Sequence, residues 1–202
     1  MDITAELLAR FAVAASCVSL LVAGVAVLAY EHGASRPEPI ERDRSALAIV
    51  NYAGIGLFVI VGLIVSGANT GDLAEPPAPF GAAVRVIGMA TLLIAGLLAL
   101  WGLLSIGRNM ASAAEVRPDT ELVTSGAFGL VRHPLYLSIL LLWAGGALAL
   151  LSWVLALGFA ILVPAFYARA RTEEQLLAHH FGDAYTSYAS RVPMLLPRVR
   201  RR

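Results

Sequence analysis

Residues 121–136 read ELVTSGAFGLVRHPLY, a polar, glycine-containing stretch that lies between two long apolar blocks. A second polar stretch, RARTEEQLLAHHFGDAYTSYASRVP, covers residues 169–193 and follows the last apolar block. The apolar blocks predict membrane helices that anchor these two stretches. We expect the two polar stretches to meet at one membrane face and to form an active site there, open to an apolar substrate.

The composition indicates a membrane protein. Of the 202 residues, 58% are hydrophobic and 14% are charged, whereas a soluble domain has about 45–50% apolar and about 25% charged residues. We predict an all-α polytopic membrane protein without a Rossmann domain. Residues 1–106 would hold three transmembrane helices and residues 107–202 the catalytic region, together forming one domain. The net charge of +1 gives no reason to expect a nucleic-acid partner, and the single cysteine, Cys17, excludes an internal disulfide or a cysteine-based metal site.

The uncharged runs predict five transmembrane helices. The first three cover residues 11–30, 46–67 and 86–106. Residues 135–168 carry no charge, and as one helix they would be about 51 Å long against a hydrocarbon core of about 30 Å. A two-helix hairpin with a turn at residues 151–153 fits better, and cytoplasmic C-terminal helices follow it. The dipeptide Gly182-Asp183 predicts the end of one of these helices and the cap of the next.

The distribution of arginine predicts the orientation in the membrane. All basic residues are arginine, and they concentrate in residues 31–45, residues 107–134 and the C-terminal segment. With five spans, these segments fall on one side, which the positive-inside rule assigns to the cytoplasm. The N-terminus would then lie outside. The composition, rich in Ala, Gly and Arg and free of Lys, suggests a bacterial protein and hence the inner membrane.

The tripeptide Arg132-His133-Pro134 precedes the fourth predicted span. Proline favours the first helical position, so we expect His133 at the N-cap and Pro134 at N1. A helix N-terminus suits an anionic ligand, and Arg132 adds a full positive charge. The alternative is an arginine that reaches lipid headgroups and a histidine that only caps the helix. Taken alone, Tyr136 is better explained as an interface anchor.

The pair Glu173-Glu174 follows the last apolar run by a few residues. Such a pair is often a solvated helix face. However, both arms of the hairpin begin and end on one side, so the topology should bring the pair close to Arg132 and His133. The neighbouring His179 and His180 have no evident ligand partner, and we predict no metal site.

These segments resemble the isoprenylcysteine carboxyl methyltransferases, with the phospholipid methyltransferases as wider relatives among the integral membrane methyltransferases. The first matching pattern consists of Leu122, Val123, Gly126, Arg132, His133, Pro134 and Tyr136. The second consists of Glu173, Glu174, Phe181, Gly182, Tyr185, Tyr188, Arg191, Val192 and Pro193. The resemblance covers residues 107–197. One departure is Ala127-Phe128, where many relatives have Pro-Tyr.

The resemblance implies transfer of a methyl group from S-adenosyl-L-methionine, with S-adenosyl-L-homocysteine as product. The cofactor would be bound without a Rossmann fold. The residues implied around it are Leu122, Val123, Gly126, Val131, Arg132, His133, Pro134, Tyr136, Glu173 and Glu174. The acceptor would be a lipophilic small molecule or a lipid-modified substrate that enters from the bilayer.

The candidate catalytic residues are Glu173, Glu174, Arg191 and His133. We expect Arg132 and the helix start to hold the cofactor's carboxylate and Glu173 to hold its ammonium or ribose hydroxyls. A carboxylate acceptor needs only a cation such as Arg191, whereas an amine must lose a proton to Glu174 or His133. The carboxylate is favoured, and N-methylation of a phospholipid or another amine is the alternative. More distant alternatives are a nicotinamide-dependent membrane reductase and a non-enzymatic membrane scaffold.

Overall fold

The computed structural model describes residues 41–42, 80–106, 115–116 and 121–197 of the chain. Its helices are α1 (Phe80–Ile106), α2 (Pro134–Leu150), α3 (Trp153–Phe181) and α4 (Asp183–Arg191). A 3₁₀ turn, Gly126–Gly129, precedes α2. The predicted spans at residues 11–30 and 46–67, and Cys17, lie outside the described residues.

One short antiparallel β pair accompanies the helices. Strand β1 (Glu41–Arg42) pairs with β2 (Glu115–Val116), with Glu41 opposite Val116 and Arg42 opposite Glu115. The all-α prediction did not include this pair, because two-residue strands leave no periodic pattern in the sequence. The pair joins residues 31–45 to residues 107–134, two segments that the arginine distribution assigns to the same side of the membrane.

Two of the described helices, α1 and α3, are long and apolar enough to cross a membrane. The third apolar helix, α2, has 17 residues, which corresponds to about 25 Å against a hydrocarbon core of about 30 Å. Large apolar side chains on α1 remain exposed, including Leu93 at 64% and Leu104 at 73%. Such an exposed apolar face is unusual for a soluble monomer and is typical of a surface in contact with lipid.

Helices α1 and α2 pack closely because glycines face each other between them. A Cβ atom on Gly88 would lie 2.7 Å from Ala149 Cα and 2.8 Å from Gly145 O. At the other end of the pair, Gly102 lies against Leu135. The two helices therefore run antiparallel with their backbones in contact. The buried cluster at this contact also reaches α3 and contains Leu92, Ala95, Leu142, Trp143, Ala149, Leu150 and Leu155.

The predicted hairpin turn is confirmed. Helix α2 ends at Leu150, and Leu151 adopts the left-handed conformation (φ 52°, ψ 43°) that commonly ends a helix. Ser152 then caps α3 by accepting a hydrogen bond from Leu155 N at 3.4 Å. The hairpin brings the polar end of α3 back to the level at which α2 begins.

Helix α3 is longer than the predicted fifth span. It continues without a break from its apolar part, which ends at Ala168, through the polar residues to Phe181. Gly182 (φ 54°) separates it from α4, at the predicted junction. The N-cap of α4 is Gly182 itself, and Asp183 is its first residue rather than its cap. The acidic pair therefore lies on the same helix that forms the second arm of the membrane hairpin.

Candidate active site

The start of α2 has the predicted geometry. His133 is the N-cap (φ −124°, ψ 66°) and Pro134 is the first helical residue. The His133 side chain makes no capping hydrogen bond. Its ring is instead buried and stacked on the ring of Tyr136, with the two centroids 5.2 Å apart and the planes within 2° of parallel. The imidazole is thus aimed toward α3.

The acidic pair of α3 faces this helix start, as the topology predicted. The Tyr136 hydroxyl donates a hydrogen bond to Glu173 Oε2 at 2.7 Å. His133 lies between the two carboxylates, with Nδ1 3.7 Å from Glu173 Oε2 and Nε2 3.4 Å from Glu174 Oε1. Among the residues that the structure describes, Oε1 of Glu173 has no hydrogen-bond partner. It is therefore available to an outside donor.

The guanidinium of Arg132 joins three segments. Its Nε and Nη2 both contact Glu174 Oε1 at 2.6 Å. Its Nη1 donates to Ala189 O at 2.7 Å and to Val192 O at 2.5 Å. Each of its three nitrogens therefore already has a protein acceptor. This geometry favours a positioning role for Arg132 over direct contact with a ligand carboxylate.

The chain after α4 pairs with the loop before α2. Arg132 N donates to Pro193 O at 2.9 Å, and His133 N donates to Met194 O at 3.1 Å. Met194 and Leu195 also pack against the buried cluster of Tyr136, Leu140, Phe166 and Ala170. The Arg-Val-Pro segment of the second polar stretch is therefore part of the scaffold that fixes the helix start.

Arg169 is a buried site residue that the sequence analysis did not assign. It is 5% exposed, and its Nε donates to the Tyr136 hydroxyl at 2.7 Å. The Tyr136 phenol thus accepts from Arg169 and donates to Glu173. The signal for Arg169 was present in the sequence: it precedes Glu173 by four residues and so shares its helix face.

Two tyrosines of α4 lie against the same cluster. The Tyr188 hydroxyl donates to Phe128 O at 2.7 Å, which fixes α4 to the 3₁₀ turn. The Tyr185 side chain is 3% exposed, and its hydroxyl has no hydrogen-bond partner in the described part of the chain. Burial raises the pKa of Tyr188 to about 12. Burial, together with the nearby Glu174 carboxylate, also raises the pKa of Tyr185, so both phenols are neutral at physiological pH.

Contacts with His133 and Arg132 keep the Glu174 carboxylate ionised. Glu174 lies in the polar part of α3, beyond the apolar segment that ends at Ala168. Burial alone would raise the pKa of its carboxyl, but the His133 imidazole, 3.4 Å away, and the Arg132 guanidinium outweigh that effect and the pKa is lowered overall. In the described cluster, the positive charges of Arg132 and Arg169 therefore offset the negative charges of the two glutamates.

Gly126 is constrained by its contact with α1. Its φ of 62° lies in the left-handed region, and an added Cβ would be 2.9 Å from Ser105 Cβ. Ser105 Oγ accepts a hydrogen bond from Ala127 N at 3.1 Å and donates to Trp101 O at 2.7 Å. The requirement for glycine here thus has a packing reason that needs no ligand.

The other predicted lining residues lie in different surroundings. Leu122 and Val123 are partly exposed in the segment without regular secondary structure before the turn. Val131 is fully buried in an apolar cluster with Leu98 and Leu137. Any contact that Val131 makes with a ligand would have to use its backbone.

Arg191 is not drawn into the cluster. It is exposed at the end of α4, where its Nε donates to Ser187 O at 3.1 Å and Nη2 contacts Ser187 Oγ at 3.4 Å. The exposed His179 and His180 lie on the outer part of α3. The described residues contain no group of three or more His, Cys, Asp or Glu side chains that could hold a metal ion.

Comparison with known proteins places this site in a family context. The sequence model of the isoprenylcysteine carboxyl methyltransferase family matches residues 86–179. That range contains α1 from residue 86 onward, all of α2 and the acidic pair of α3, and it ends before α4.

Some of the individual relatives are named as methyltransferases and others as metal-resistance proteins. The chain is 31% identical to protein-S-isoprenylcysteine O-methyltransferase B of Arabidopsis thaliana over 115 residues, or 55% of this chain and 58% of that protein. It is 33% identical to protein-S-isoprenylcysteine O-methyltransferase of Schizosaccharomyces pombe over 114 residues, or 48% of each. It is also 33% identical to the nickel-cobalt-cadmium resistance protein NccN of Alcaligenes xylosoxydans xylosoxydans over 150 residues, or 72% of this chain and 65% of that protein. The chain thus spans about half to two thirds of the length of these relatives.

Proposed function

The chain belongs, through residues 86–179, to the isoprenylcysteine carboxyl methyltransferase family, and from this premise we propose that it transfers a methyl group from S-adenosylmethionine to a lipophilic acceptor at the membrane. The observation that carries the proposal is the contact between the two polar stretches. His133 and Tyr136 at the start of α2 face Glu173 and Glu174 of α3. The exposed apolar faces of α1 and α3 support an acceptor drawn from the bilayer.

The chemistry of the available groups fits this cofactor. Glu173 Oε1 is an acceptor for an ammonium group or for ribose hydroxyls. The amide groups of Leu135 and Tyr136, in the first turn of α2, have no acceptor within the helix and are donors for a carboxylate. His133 Nε2 and the Tyr185 hydroxyl are buried without a hydrogen bond to the described residues. An unsatisfied buried polar atom costs about 1–3 kcal/mol, which a bound ligand would recover.

When bound, S-adenosylmethionine supplies an activated methyl group on a sulfonium sulfur, and its demethylated product is S-adenosylhomocysteine. The protein's part is then to align the acceptor with that methyl group and to exclude water. Arg132 bonds Glu174 and the carbonyls of the C-terminal segment. It thereby fixes the start of α2 relative to α3 and to that segment. Arg169, through Tyr136, holds Glu173 in place.

The family supports a carboxylate as the acceptor. A carboxylate is ionised at neutral pH and needs no general base, only alignment. Arg191 remains our sequence-based candidate for orienting it, and for this role its guanidinium would have to leave Ser187. The alternative acceptor, an amine, is supported by the position of His133 between two carboxylates, where it could take up a proton.

Labelling distinguishes these acceptors. Membranes incubated with the protein and methyl-labelled S-adenosylmethionine should gain label in a lipid-soluble fraction, and mild base should release it, because methyl esters hydrolyse and methylated amines do not. Base-stable label would support the amine. The absence of any transfer above that of membranes without the protein would refute the proposal.

The site itself is tested by cofactor binding. Glu173→Gln and His133→Ala should each abolish calorimetric binding of S-adenosylhomocysteine while the apparent melting temperature shows a folded protein. Asp183→Asn, which neutralises an exposed acid on α4, is the matched control and should bind normally. Wild-type affinity in both site variants would remove Glu173 and His133 from the cofactor site.

A further inference from the structure

Tyr185 carries a buried hydroxyl that the described protein does not use. Its side chain is 3% exposed, and its Oη has no hydrogen-bond partner among the described residues. Buried hydroxyls are nearly always paired in native proteins. The neighbouring Tyr188, on the same helix, follows that rule through its bond to Phe128 O. The contrast singles out Tyr185 as the phenol whose partner comes from elsewhere.

The Tyr185 hydroxyl lies near the charged cluster of the site. It is close enough to Glu174, Arg132 and Glu173 for their charges to affect its ionisation. Its ring packs edge-on against that of Tyr188, with centroids 6.0 Å apart, which fixes its direction. Because the phenol stays neutral, its oxygen carries a proton that it can donate.

The two arginines that the sequence suggested for binding ligand anions, Arg132 and Arg191, already bond to the protein. The three nitrogens of Arg132 are already bonded to Glu174, Ala189 O and Val192 O. The exposed guanidinium of Arg191 is bonded to Ser187. A neutral phenol beside Glu174 can donate a hydrogen bond to a ligand carboxylate without adding a further negative charge.

We propose that the Tyr185 hydroxyl donates a hydrogen bond to a ligand carboxylate in the site, and so positions that ligand for methyl transfer. The carboxylate is either that of the cofactor's methionyl arm or that of the methyl acceptor. This inference rests on the proposed methyltransferase function and adds a ligand-contacting residue to it.

The test compares Tyr185→Phe with Tyr188→Phe in the full-length protein in detergent. One arm measures the Kd of S-adenosylhomocysteine by calorimetry, and the other measures the KM of an S-prenylated N-acetylcysteine at saturating S-adenosylmethionine. Tyr185→Phe should raise one or both constants about tenfold to a hundredfold, the range for a hydrogen bond to a charged group. The constant that rises identifies the carboxylate. If the prenylcysteine is not methylated by the wild type, the calorimetric arm decides alone.

Thermal stability without ligand separates a binding role from a structural one. Removing an unpaired buried hydroxyl should leave the apparent Tm of Tyr185→Phe equal to or above that of the wild type. Tyr188→Phe should lower the Tm, because it leaves Phe128 O without its donor.

Unchanged Kd and KM in Tyr185→Phe, or a Tm loss as large as that of Tyr188→Phe, would overturn the assignment while the proposed function stood. A wild-type protein that neither binds S-adenosylhomocysteine nor transfers methyl would instead refute the proposed function, and the Tyr185 assignment would fall with it.

Discussion

Replacing Arg132 by lysine is expected to loosen the site before any ligand binds. Lysine keeps the positive charge but concentrates its donors at one atom, so it cannot serve Glu174 and the two backbone carbonyls together. In the structure these contacts are divided between Nε and Nη2 on one side and Nη1 on the other. The substitution therefore tests geometry at constant charge.

The burial of the pair sets the size of the effect. The side chains of Arg132 and Glu174 are 12% and 15% exposed, so water replaces few of the lost contacts. Hydrogen bonds to charged groups contribute about 1.5–3 kcal/mol each, and lysine can retain some of them. We therefore expect a net loss of about 3 kcal/mol, near the lower end of the values for breaking a buried pair. For a chain of this size, that lowers the Tm by about 6–12 °C.

The assay is thermal unfolding in detergent, with and without S-adenosylhomocysteine. Arg171→Lys, an exposed position on α3, is the matched control and should stay within about 0.5 kcal/mol of the wild type. In a double-mutant cycle, Arg132→Lys with Glu174→Gln should lose less than the sum of the two single variants, because the two residues share one interaction.

An unchanged ligand-free Tm in Arg132→Lys would point to a direct ligand contact. If Arg132 held the ligand carboxylate directly, the ligand-free Tm of Arg132→Lys would stay within about 1 °C of the wild type and only the stabilisation by ligand would fall. That outcome would refute the positioning role that we derive from its contacts and restore the direct role expected from the sequence.

Two further predictions follow from the packing and the charges. Gly88→Ala should destabilise the protein by about 1–3 kcal/mol, because the new methyl group meets the backbone of Ala149 and Gly145; Gly96→Ala on the same helix, with no described atom within 4 Å of the added group, should show no loss in the same thermal melts. Because folding lowers the pKa of Glu174, its carboxylate stabilises the protein at pH values above the unfolded pKa of 4.5, and this stabilisation is lost as the pH falls below 4.5. The Tm should therefore decline on acidification. Glu174→Gln should make this decline smaller.

Much of the described architecture could be predicted from run lengths and helix signals. The uncharged residues 135–168 are too long for one crossing, and the chain turns at Leu151–Ser152. Pro134 begins α2, and Gly182 ends α3. These features depend on local backbone chemistry and on the thickness of a bilayer, both of which a single sequence reveals. The helical spacing after Ala168 predicted that helix continues there, and the structure shows that this helix is one with the last apolar segment.

For the site, the sequence by itself determined which residues meet: the hairpin returns the chain to one face, so Arg132 and His133 had to lie near Glu173 and Glu174. Only the tertiary structure decided how they are used. It bonded the Arg132 donors to the protein, brought Arg169 to Tyr136, left Arg191 on the surface and left the Tyr185 hydroxyl without a partner among the described residues. The physical reason is that a hydrogen bond depends on side-chain directions and on distances within a few tenths of an ångström between segments far apart in the chain. The spacing of apolar and polar residues does not encode those distances.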